Sequence, residues 1–111
     1  MLASEIVEGA LEAIRQRGLH KGWYIDPAGR SVCAIGALRL AATGSVYTRE
    51  EEDMPAYLNA ANAIGRQIND TEVYDEFFDV GNLAPWSDSH QQPEVEEVFE
   101  KAAKDLRDRG E

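Results

Sequence analysis

A chain of 111 residues, 43% hydrophobic and 29% charged, is long enough to bury roughly two thirds of its unfolded surface in one core, so it needs no metal or disulfide to fold. Its 21 Asp and Glu against 11 Lys and Arg give a net charge of −10, which excludes a nonspecific nucleic-acid binder, because neutralising phosphates takes clustered cations. One cysteine, Cys33, excludes an internal disulfide and fits a reducing cytoplasm, and the opening Met-Leu-Ala-Ser-Glu leads to no signal peptide or membrane span.

In chain order, Leu2, Ile6, Val7, Ala10, Leu11 and Ile14 recur at helical spacing, with Glu5, Glu8, Glu12 and Arg15 on the other side. This predicts an amphipathic first helix, its dipole complemented by early acids and by Arg15 and Arg17, and stopped at Gly18. Residues 19–30 change character. Trp23, Tyr24 and Ile25 form a short extended run, and Asp26-Pro27-Ala28-Gly29 is a turn signature, so at most a minor hairpin is expected.

Ser31–Gly44 carries a single charge, Arg39, and its small and apolar residues cover every direction a helix can face. Such a helix belongs at the centre of a domain. Ser31 is expected to cap it and Gly44 to close it in a left-handed conformation. Ala34, Gly36 and Ala37 would let neighbours approach closely, and Arg39 would reach the surface along its stem.

After a polar connection, Thr48-Arg49-Glu50-Glu51 has the spacing of a capping box, and Asp53-Met54-Pro55 starts a helix running to about Asn69. Tyr57, Leu58, Ala61, Ile64, Gly65 and Ile68 mark its apolar side. Asp70 or Thr71 would cap a further short helix with Val73, Tyr74, Phe77, Phe78 and Val80, ended by Gly81; these aromatics fill core. Leu83–His90 reads as a loop between Pro85 and Pro93. Gln92-Pro93 opens the last helix, in which Val95, Val98, Phe99, Ala102, Ala103 and Leu106 keep helical spacing, with Glu at its start and Lys and Arg at its end. No repeat or linker interrupts the chain.

Trp23-Tyr24, the turn at Gly29, Cys33 followed by Gly36-Ala37-Leu38, then Trp86-Ser87-Asp88 and Glu96-Glu97-Val98 resemble a family of small uncharacterised proteins from actinobacteria and their phages. The pattern of that family runs Trp, Gly-Cys-x-x-Gly-Ala-Leu, Trp-Asn-Asp, Glu-Glu-Val. Here Ser87 stands where Asn is usual and Gln92 where a Thr cap is common. The resemblance implies a mostly helical fold and supplies no substrate.

Three groupings bear on chemistry. Cys33 near a helix N-terminus, with His20 or His90 as base and Asp88 or Asn82 as orienter, would make a cysteine hydrolase or acyl transferase; the competing reading is a small buried packing residue. Two histidines and one cysteine without ligand spacing give no expected metal or cofactor, and Glu50–Asp53 lacks the pattern of a calcium loop. Trp86, Ser87 and Asp88 form the third, with Asp88 placed either to cap a backbone turn or to pair with Arg39 and fix its segment to the core.

These features predict a single all-α domain over 1–111, with four or five helices around Ser31–Thr43. The expected function is a cytoplasmic accessory protein, phage-encoded and directed at a host protein, that binds a protein partner and neither membrane nor nucleic acid. The motif residues are Trp23, Cys33, Gly36, Ala37, Arg39, Trp86, Ser87 and Asp88. The alternatives are the cysteine enzyme, with Cys33, His90 and Asp88 as candidates, and an acidic mimic of nucleic acid.

Overall fold

The first apolar stripe folds as expected into α1, Ala3–Arg17, burying Ile6, Val7, Ala10, Leu11 and Ile14. Glu5 accepts the Leu2 N–H at 2.8 Å, which satisfies one of the donors that every helix start leaves open. Gly18 ends the helix with φ 85° and returns its N–H to Ile14 O at 2.8 Å. A side chain would be strained in that conformation, which is why the stop falls on glycine.

The computed structural model describes residues 1–21, 29–44, 54–68 and 83–111. Four more helices follow α1 among them: α2, Ala34–Thr43; α3, Met54–Gln67; α4, Leu83–Asp88; and α5, Gln92–Asp108. The domain is all-α. Besides the helices, one parallel bridge pairs Leu19 with Val32. The Trp23–Ala28 stretch, the Thr48 capping box and the helix expected after Asp70 lie outside the described residues.

Three helices pack around α1, namely α2, α3 and α5, while α2 also meets α3 and α4. The core between them is built on Tyr57, Phe99, Ile6, Ile35, Leu38 and Ile64, all essentially removed from water. Each such side chain contributes about 1.5–3 kcal/mol when fully buried, so these six alone are comparable to the net stability of an ordinary domain before chain entropy is set against them. Helix α2 is buried along most of its length, from Ala34 through Arg39 and again at Ala42, and Gly44 closes it with φ 82° and ψ 1°. That is the central, left-handed-capped helix its composition predicts.

Its start differs from expectation. Ser31 does not cap α2; Cys33 does, its Sγ accepting the Gly36 N–H at 3.3 Å. The reason lies two residues upstream. Val32 donates its N–H to Gly18 O at 3.0 Å and accepts the His20 N–H at 2.8 Å. A residue held on both sides in an extended bridge cannot also enter a helix, so the helix begins only after it.

Gln92 completes this junction from the other end of the chain. Its Oε1 accepts the Leu19 N–H at 3.0 Å, and its Nε2 donates to Ile14 O and to Glu96 Oε2, both at 3.2 Å. The end of α1, the strand-like link to α2 and the first turn of α5 are therefore tied through one carboxamide. Gln91 takes the N-cap position of α5, and Pro93 sits in the first turn, where its missing N–H has no intrahelical partner.

The segment read as a loop, Leu83–His90, is also corrected, because residues 83–88 form α4. Pro85 falls in its first turn, where proline is tolerated. Leu83 and Ser87, one turn apart, are buried, and Pro85 and Asp88 are exposed. Six residues make too short a stripe for periodicity to separate from a proline-bounded loop.

Charged side chains on α5 are largely committed within the fold. Arg15 bridges to Glu96 at 2.8 Å and also to Glu100, Arg107 meets Glu8, and Arg66 meets Asp105 at 3.1 Å. Hydrogen bonds from Arg109, and secondarily from Arg66, hold the Asp105 carboxyl below its ordinary range. Exposed pairs of this kind are individually weak, so they orient α5 on α1 and α3 more than they stabilise it.

Helices α1 and α2 approach closely at Gly9, where an added Cβ would stand 3.0 Å from Ala41 Cβ. Alanine gains about 1 kcal/mol over glycine in an open helix, enough to raise the melting temperature by about 4 °C or more in a domain of this size. Gly9→Ala is expected to show none of that gain by thermal denaturation; a rise of that size would show that the two helices separate freely. Gln92→Leu keeps the bulk but removes three hydrogen bonds, and is expected to cost about 1–3 kcal/mol in urea unfolding, the range for orphaning a half-buried backbone group. An unchanged midpoint would remove the junction from the account.

Candidate functional site

The sequence motifs converge where the first turn of α2 meets α4. Cys33 stands at the N-cap of α2, Gly36 and Ala37 are buried in its first turn and a half, and Arg39 lies one turn further on. Trp86, Ser87 and Asp88 come from the last turn of α4, which packs on α2. Trp23, the remaining motif residue, and Asn82, one of the two proposed orienters, lie outside the described residues.

Cys33 is 6% exposed. Burial, the largest effect, pushes its thiol above the ordinary pKa, while the backbone N–H groups of Gly36 and Ile35 oppose the rise. Asp88 adds to the rise and Arg39 subtracts from it. The thiol is thus protonated at neutral pH despite its place at a helix N-terminus, where two amides and the dipole favour the anion. Desolvation outweighs the dipole here because the sulfur has little water around it. The opposing effects of Asp88 and Arg39 also put both charges within electrostatic range of the same sulfur.

Arg39, expected at the surface, is also buried, with only 8% of it exposed. Helices α1, α3 and α4 all pack on α2. A buried guanidinium is tolerated only with a compensating charge or several hydrogen bonds. Asp88, exposed at the end of α4, is a carboxylate that acts on the same thiol.

His90 is held more firmly than a loop histidine would be. Its ring stacks on the Trp86 indole with centroids 4.4 Å apart and planes 25° from parallel. Nδ1 lies 2.7 Å from Trp86 O, so the ring donates there with its Nδ1 proton, and Ser89 Oγ donates to the same carbonyl at 2.9 Å. Both contacts close the end of α4, whose last carbonyls have no helical partner. His20, on the other side of Cys33 in sequence, contributes its backbone N–H to the bridge with Val32. Its Nε2 is buried without a hydrogen-bond partner, as is the Ser87 Oγ in a residue only 1% exposed.

Among the described residues, no three His, Cys, Asp or Glu side chains gather as metal ligands, and no helix is long and apolar enough to cross a membrane. Glu50–Asp53 lies outside them. A residue outside these motifs, Gln92, sets the junction behind Cys33. The departure at Gln92 from the usual cap residue was its one sequence signal.

A protein-family model described as a family of unknown function (DUF6197) matches residues 1–105. No curated protein and no solved structure matches the chain.

Two outcomes follow for this site. Because the folded thiol holds its proton more tightly than the unfolded one, the stability it contributes is complete below the unfolded pKa, about 8.5, and is lost as pH rises through the folded value. The melting temperature is therefore expected to fall above about pH 8.5, and Cys33→Ala to abolish that alkaline component; an identical alkaline profile in the variant would contradict it. Asp88→Asn is expected to lower the melting temperature by about 4 °C or more if the carboxylate compensates buried Arg39. An unchanged curve would separate the two residues.

Proposed function

The chain belongs to the DUF6197 family, and from that premise we propose that it is a small accessory protein that works by contact with a protein partner. The observation that carries this reading is the Trp86–His90 step. It is a stacked aromatic pair, part-exposed, at the corner where α4 turns into α5. Both side chains are fixed before any partner arrives, since His90 is hydrogen-bonded to the Trp86 carbonyl. Aromatic side chains are enriched at the centres of protein interfaces, and a pre-set pair loses little rotamer entropy on binding.

Charge supports the same reading and directs attention to particular segments. Along α5, most carboxylates are matched by Arg15, Arg66, Lys101, Lys104 and Arg109. By contrast, residues 45–53 and 69–82 together hold nine Asp and Glu against one Arg. The acid excess of the chain is concentrated there, so the partner proposed is a basic protein surface. The protein is proposed to act in the cytoplasm, where its free thiol stays reduced, and to be phage-encoded, one of the two sources of the family its motifs resemble.

The cysteine-enzyme alternative with Cys33, His90 and Asp88 asks for a thiolate at a sulfur that burial keeps protonated, and for a base at His90, whose Nδ1 is already engaged in closing the end of α4. The contact reading asks for no such rearrangement.

The test is affinity capture from a host lysate with the wild-type chain and Trp86→Ala, after circular dichroism has shown both to be folded. A defined partner held by the wild type and weakened at least about tenfold in the variant, equivalent to about 1.4 kcal/mol, is expected. Equal retention by the two proteins would overturn the role of the aromatic step. Capture confined to nucleic-acid-binding proteins and competed by DNA would favour acidic mimicry instead.

A further inference from the structure

We draw no further inference here: the strongest candidate, the open groove beside the last turn of α1 lined by Gln16, Arg17, Gly29 and Arg30, carries nothing because nothing in the structure shows what covers it.

Discussion

The extended bridge between Leu19 and Val32 is the constraint on which the rest of the structure depends. It is short, two backbone hydrogen bonds, one from Val32 N–H to Gly18 O and one from His20 N–H to Val32 O, yet it decides where α2 must begin. Gln92 adds the start of α5 to the same point through Leu19 and Ile14. Three helices thus share one fixed corner, and their apolar faces are brought together at set angles by it. Without that corner, the stripes on α1, α2 and α5 would still favour helices, but nothing local would fix their register.

The same constraint gives Cys33 its character. Once Val32 is held in the bridge, the next residue is the only one that can cap α2, and a thiol does so by accepting the Gly36 N–H. A serine or aspartate is the better cap by intrinsic preference. Here the position is also part of the core, and a sulfur loses less on leaving water than a hydroxyl or carboxylate does. The thiol is therefore a compromise between capping and packing. Its raised pKa is the consequence of that compromise and does not require an active site.

Much of the fold was legible in the residues. The stripes of α1, α3 and α5 are long enough for the helical period to show, and Gly18 and Gly44 end their helices as their chemistry demands. The errors have physical causes. Ser31 has the residue type of a cap, and the distant partners that hold Val32 extended, Gly18 and His20, leave no mark on the local sequence. Helix α4 looked like a loop because six residues around Pro85 contain barely one period. Arg39 looked like a surface residue because a lone charge usually finds water, whereas α2 is covered by three other helices. At the candidate site, Arg39 and Asp88 both act on the Cys33 thiol and the helix carrying Trp86, Ser87 and Asp88 packs on α2, but the ring stack that organises Trp86 and His90 is a three-dimensional fact with no signature in spacing.

The central claim is that the Leu19–Val32 corner is as stable as the core it organises. Native-state hydrogen exchange of the His20, Val32 and Gly36 amides, compared with those of Ala10 and Leu38 in the middles of α1 and α2, tests it most directly. Exchange of all five only through global unfolding, with one common opening free energy, is the result this account predicts. Rapid exchange of His20 and Val32 while Ala10 and Leu38 stay protected would contradict it, because the corner would then be a fraying link between helices that hold their places without it.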